Sequence, residues 1–175
     1  MAIYGAGNYF PWHPPSGPVL GSWSLRELKD IARSAVSSLD WERKAVKSYA
    51  TIVEQILGSI DGAGWSRRRL AAEAGVPNSV ASQALSGSSW PRWKTLEALA
   101  EAVGSELRDP ARPGSAIADL VRAVEAEPEL NYLSVAEELH LRPNTLYDLR
   151  KPDANPSAAT VLIMACWFDR SIEIA

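Results

Sequence analysis

Apolar residues recur at helical spacing through most of the chain, and where the rhythm breaks it does so at glycine or proline. Leu25, Leu28, Ile31, Ala32 and Ala35 form a first stripe, opened by Ser24-Leu25-Arg26-Glu27, in which Ser24 and Glu27 can cap each other's amides. A second helix is expected after Asp40, with Ala45, Tyr49, Ile52, Val53, Ile56 and Ile60 on one face and Asp61-Gly62-Ala63-Gly64 as its stop. Shorter helices follow, from Ser66 to Ala74 and then to about Ser86, with Gly75-Val76-Pro77 turning between them. Another comes after Pro91, with Leu96, Leu99, Ala100 and Val103 inward. Asp109 to Gly114 holds two prolines and a glycine and reads as a linker. Beyond it helices are expected at Ala116–Ala126, Val135–Leu139, Pro143–Leu149 and Ser157–Phe168. The tail, Ser171 to Ala175, alternates like a short strand, and no earlier segment reads as a partner for it.

The helical pattern contains a repeat. At an offset of 65 residues (136 − 71), Ala71 matches Ala136, Glu73 matches Glu138, Pro91 matches Pro156, Thr95 matches Thr160 and Ala100 matches Ala165. Apolar positions agree in kind between them, as in Val76 with Leu141, Ala81 with Leu146 and Leu96 with Val161, and no gap is needed. Two copies of one small helical unit are the simplest reading. The expected fold is all-α, with an arm at 1–23, a leading helix and first unit at 24–107, a linker at 108–114 and a second unit at 115–175. The arm carries Tyr4, Tyr9, Phe10 and Trp12 among prolines and glycines, rings expected to pack on the body of the protein or to offer a partner surface.

Composition narrows the classes of function. The apolar and charged fractions are those of an ordinary globular protein. The longest apolar run, around Val161 to Phe168, is far too short to span a bilayer, and no basic segment with an apolar core opens the chain, so a cytoplasmic protein is expected. A lone cysteine, Cys166, excludes an internal disulfide framework and reads as a buried core residue. With only His13 and His140 beside it, neither a zinc site nor a nucleophile–base pair is expected, and no phosphate-binding glycine motif occurs. The reading is of a non-enzyme without metal or cofactor. Net charge is slightly negative, but its distribution is uneven. From Gly62 to Leu96 five basic residues face Glu73 alone, a balance of +4, whereas Glu127 to Val161 sets three basic residues against six acidic ones, a balance of −3.

In the basic window, Leu70-Ala71-Ala72-Glu73-Ala74-Gly75-Val76 has a small residue where two helices cross, a glycine to end the first helix and an apolar plug in the turn. The next helix turns Ala81, Ala84 and Leu85 inward, which leaves Asn78, Ser79, Ser82, Gln83 and Ser86 outward. A short polar helix without acidic residues, flanked by cations, suits a major groove. LAAEAGVPNSVASQALSG followed by PRWKTLEALAEAVG resembles the lambda-repressor-like (Cro/CI, XRE) helix-turn-helix family over about residues 45 to 107. The resemblance implies a five-helix DNA-binding domain of a transcriptional regulator. It implies that Arg67 meets a phosphate and that Asn78, Ser79 and Gln83 face base edges. Pro77 stands where a capping Ser or Thr is usual, so the recognition helix is expected to begin one residue late.

The DNA-binding set is therefore Arg67, Arg68, Arg69, Asn78, Ser79, Ser82, Gln83, Arg92 and Lys94. In the second copy His140 replaces the turn glycine and Asp148 stands where Gln83 stands. Asn144, Thr145, Tyr147, Arg150 and Lys151 form a second candidate set, with a dimerising or partner-binding role as the competing use of that face. The expected function is sequence-specific binding of double-stranded DNA, in the manner of a repressor, by a homodimer or by a monomer reading two half-sites. A protein-interaction module, such as an antitoxin or phage-encoded adaptor working through the acidic copy and the aromatic arm, is the alternative. A fragment lacking everything from Gly114 onward is expected to fold and to bind more weakly.

Overall fold

A computed structural model describes residues 25–175, apart from 113, 128 and 129, with side chains from Asp40 onward. The arm with its aromatic residues, His13, the Ser24 cap and the side chains of the first apolar stripe lie outside the described residues. The elements run α1 (Leu25–Gly62), α2 (Arg67–Glu73), α3 (Asn78–Leu85), α4 (Trp93–Ala102), β1 (Leu107–Arg108), α5 (Ala116–Ala126), α6 (Tyr132–Glu138), α7 (Pro143–Asp148), α8 (Ala158–Trp167) and β2 (Glu173–Ile174).

Two leading helices are suggested by the sequence, but α1 is one continuous helix of 38 residues. Asp40 does not break it: no glycine or proline adjoins it, and its carboxylate pairs with Lys44 one turn on at 3.2 Å, an arrangement that supports a helix. The stop is where the glycines are, with Gly64 at φ +65. The tail does have a partner. β1 and β2 pair antiparallel, with Leu107 opposite Ile174 and Arg108 opposite Glu173, so the fold is helical with one two-residue ladder. β1 escapes a reading by alternation because two residues carry no period. The segment after it is a fastened turn rather than a loose linker: buried Asp109 accepts at Oδ1 from the Ala111 amide, 2.9 Å away, and at its carbonyl from the Arg112 amide, 3.0 Å away.

The repeat offset reappears in the elements. Adding 65 to the bounds of α2 gives those of α6, and adding 65 to those of α4 gives those of α8. Gly75, which ends α2 at φ +64, has His140 as its counterpart at φ 52, and Gly104 at φ +77 has Asp169 at φ 52. Each left-handed residue lets the next amide reach back, Val76 to the Ala71 carbonyl at 3.0 Å and Leu141 to the Ala136 carbonyl at 2.8 Å. α6 begins earlier than its apolar pattern suggests, because Asn131 and Ser134 form a capping box.

One apolar core takes residues from both halves, including Ile52, Ile56, Leu70, Leu96 and Leu99 from the first and Leu120, Leu146, Leu162 and Met164 from the second. At its centre is α8, buried from Ala158 through Cys166 and packed on α1, α4 and α5. A helix apolar on all sides belongs inside. Burial pushes the Cys166 thiol up, in keeping with its core position.

The halves also meet through backbone. The Trp93 amide donates to the Pro156 carbonyl at 2.8 Å and the Ala158 amide to the Pro91 carbonyl at 2.9 Å, which pairs Arg92 with Ser157. Pairs of residues 65 apart are thus opposed twice, Arg92 with Ser157 and Arg108 with Glu173.

Candidate nucleic-acid interface

α2 starts on Ser66, whose Oγ accepts from the Arg69 amide at 3.2 Å. Its first turn is Arg67-Arg68-Arg69, with no acidic residue. Cations at a helix N-terminus oppose the macrodipole, so the three arginines weaken the helix that carries them. Arg67 and Arg68 are exposed, and no described carboxylate lies within 4.0 Å of either. Arg69 is held along its own helix instead, stacked over the Trp65 ring at 4.4 Å and 4.0 Å from Glu73.

The turn Gly75 to Pro77 leads directly into α3, whose first residue is Asn78. Proline at the cap gives no side-chain hydrogen bond, yet the helix is not delayed past Asn78, since the Pro77 carbonyl already accepts from the Ala81 amide at 3.0 Å. Ala81, Ala84 and Leu85 are buried, while Asn78, Ser79, Ser82 and Gln83 are exposed. The orientation of α3 is set from α1. The Tyr49 hydroxyl donates to the Ala84 carbonyl at 2.7 Å and its ring packs on Trp90 with centroids 4.7 Å apart. Burial pushes the Tyr49 phenol up to about 12, so this bond keeps its proton across the neutral range.

Arg92 and Lys94 lie apart from this face, at the joint. Arg92 Nη1 donates to the Asn155 carbonyl at 3.2 Å, the Lys94 amide to Asn155 Oδ1 at 3.0 Å and Lys94 Nζ to the Asp153 carbonyl at 3.2 Å. Both cations are exposed, but their described bonds go to the second half. Asn155 and Trp93 carry this joint and were not singled out by sequence reasoning. Trp93 is wholly buried, with Nε1 donating to Glu97 at 2.6 Å, and desolvation pushes the Glu97 carboxyl above its ordinary value despite that bond. The signal available for both was the repeat, since Pro91-Arg92-Trp93 and Pro156-Ser157-Ala158 are the segments that pair.

In the second half Asn144 is exposed and Thr145 half-buried. Tyr147 is 48% exposed, its ring 5.3 Å from that of Tyr132. The cations there are engaged: Arg150 lies 3.3 Å from Glu125 and over the Tyr132 ring, and Lys151 is 2.6 Å from Asp148. Leu133, also 48% exposed, occupies the position equivalent to Arg68, and Tyr147 that of Ser82.

The exposed polar row of α3 thus follows a helix whose Arg67 and Arg68 meet no described carboxylate. The helix-turn-helix family model HTH_3, of the XRE, lambda-repressor-like type, matches residues 61–109. The chain carries one helix-turn-helix domain there. The matched span holds α2, α3 and α4, and this type of domain is DNA-binding and regulates transcription. No curated protein and no solved structure shows a significant match. Among the described residues no helix is long and apolar enough to cross a membrane, and no group of three or more His, Cys, Asp or Glu is placed to hold a metal ion.

Proposed function

We propose that the protein is a sequence-specific DNA-binding transcriptional regulator that reads double-stranded DNA through the first half alone. The observation that carries this reading is the contrast in cations: Arg67 and Arg68 stand exposed without a described carboxylate, while Arg150 and Lys151 are each paired with one. Phosphate contacts from Arg67 and Arg68 set register on the duplex, and Asn78, Ser79, Ser82 and Gln83 address base edges. Repression is the simplest mode of action, since occupying a site requires no further surface.

The second half, residues 115–175, is in this reading a related helix-turn-helix unit joined to the first, residues 24–107, about a pseudo-two-fold. Support comes from the shared element bounds, the matched left-handed residues and the two self-equivalent backbone pairings. One chain then presents the geometry of a dimer with a single reading face, and its site is one half-site without a palindrome. Selection from a random DNA pool tests this. A short asymmetric motif bound by one chain is expected; a palindrome bound by two chains overturns the single-reader reading, and no enriched motif overturns DNA reading altogether.

A second reading is favoured by one feature. Leu133 and Tyr147 are two of the exposed large apolar side chains among the described residues, and both lie on the face equivalent to the reading face. That face serves a protein partner in this reading, the function of the acidic half being contact rather than DNA recognition.

A further inference from the structure

The pseudo-two-fold joint is not equally closed on its two sides, and the difference is written in the residues. On one side α1 packs tightly along α8. The equivalent pair on the other side is α5 with α4, and between them, roofed by the end of α7, lies an open cleft of about 410 Å³. Its lining includes Lys94, Glu97, Val121, Arg122, Leu149 and Arg150.

Shifting by 65 residues shows what stands at the matching positions of the closed side: Ala159 for Lys94, Leu162 for Glu97, Leu57 for Arg122 and Leu85 for Arg150. Ala159, Leu162 and Leu85 are buried in the core and Leu57 packs against it. Four apolar residues, three of them buried and the fourth packed against the core, therefore correspond to four charged residues at the cleft. Apolar wall remains in the cleft, from Ile117, Val121 and Leu149. Three of the four substitutions are cationic and Lys151 adds another at the mouth, against the single carboxylate of Glu97. The cations are positioned by outer partners, Arg150 by Glu125 at 3.3 Å and Lys151 by Asp148 at 2.6 Å, while Arg122 pairs with Asp119. The Arg150 and Lys151 pairs are exposed on both sides and worth little, so an anion can share those two cations at small cost, whereas Arg122 is held by the buried Asp119 and frames the cleft.

We infer that this cleft between α4 and α5 binds a small organic anion, a carboxylate or phosphate ester on an apolar body, as an effector. The volume is that of a ligand site rather than of a packing gap. Lys94 belongs to the half that carries the helix-turn-helix domain and Arg122 to the other, so an occupant couples the two.

The test needs no DNA and so stands apart from the DNA-reading proposal. Thermal unfolding of the full chain is followed with benzoate, phenyl phosphate and inorganic phosphate, and with neutral benzyl alcohol. A ligand at tenfold excess over its dissociation constant raises the midpoint by about 3–6 °C. The expected result is a rise with benzoate or phenyl phosphate, none with benzyl alcohol, and loss of the rise in a Glu97→Leu/Arg122→Leu variant that restores the sealing residues. The milder variant Arg150→Gln/Lys151→Gln, whose partners Glu125 and Asp148 stay exposed, is expected to lose it too and serves if the filled variant does not fold. No rise with either organic anion, an equal rise with benzyl alcohol, or a rise that survives in the variants overturns the proposal.

Discussion

The faces presented by α2–α3 and α6–α7 follow one another at an offset of 65 residues and differ in what they leave unsatisfied. On the first, Arg67 and Arg68 crowd a helix N-terminus that electrostatics disfavours and find no described carboxylate. On the second, Arg150 and Lys151 have Glu125 and Asp148, and leucine and tyrosine stand where arginine and serine stood. Element bounds and left-handed turn residues agree at that offset, so in the proposed reading it is the charge left without a partner, more than the backbone, that separates a DNA-reading face from one that does not read. The caps teach the same lesson: Gly75 and His140 hold one conformation, the glycine without strain and the histidine against it.

The comparison breaks most severely if the halves are separated. Because α8 covers α1 and fills the common core, a fragment lacking everything from Gly114 onward should show no cooperative thermal transition by circular dichroism, contrary to the expectation from sequence that it folds alone. A sharp transition in that fragment would make the halves independent.

Gln83→Ala should cost about 1 to 3 kcal/mol on a selected site and little on random DNA, measured by titration on both. The equivalent Asp148→Ala should not reduce affinity for the selected site. Equal loss on both DNAs would turn Gln83 into a phosphate contact.

Charge sharpens the contrast further. Replacing Arg67 and Arg68 by glutamine should flatten the dependence of log affinity on log salt by about 1.8. Replacing Arg150 and Lys151 should leave that slope unchanged if, as proposed, the second half does not meet the duplex. Equal changes for the two pairs would erase the distinction.

The caps should respond with opposite signs. Gly75→Ala forces an L residue to φ +64, where an added Cβ meets nothing within 4 Å, so its cost of about 1 kcal/mol is purely conformational. His140→Gly relieves the same strain and should be neutral or stabilising by up to about 1 kcal/mol in urea denaturation.

The smallest effect concerns Glu97. Its folded carboxyl is raised by burial, so its contribution to stability is fully present below the ordinary carboxylate value and is lost as pH rises through the raised one. Glu97→Gln keeps an acceptor for Trp93 and should flatten the stability profile over that acidic window without lowering stability at neutral pH. A profile unchanged by the substitution would remove Glu97 as its source.

What the sequence made legible is local. The spacing of Leu96, Leu99 and Ala100, the glycine at 75 and the offset from Ala71 to Ala136 each report on neighbours within one helix or turn, and the structure places them accordingly. The exposed row Asn78, Ser79, Ser82 and Gln83 was legible for the same reason, being what remains once Ala81, Ala84 and Leu85 turn inward. The joint was not. Arg92 and Lys94 look like free cations in the chain because their partners, Asn155 and Asp153, are about 60 residues away. β1 and the uninterrupted α1 were missed because a two-residue strand has no period and a helix through Ser37-Ser38-Leu39-Asp40 is supported by a pair one turn on rather than by propensity.

The dependence of α1 on α8 also has a consequence in time. Ile56 leaves a ribosome more than a hundred residues before Met164, and at ~5–20 residues per second this is a delay of roughly 5–20 s. Throughout that interval α1, with Ile52 and Ile56 among its core residues, lacks the helix that packs along it. The nascent chain is then an amphipathic helix with an open apolar side, the form that chaperones hold and that aggregates when they do not, so the yield of folded protein should respond to translation speed and chaperone supply more than its native stability would suggest.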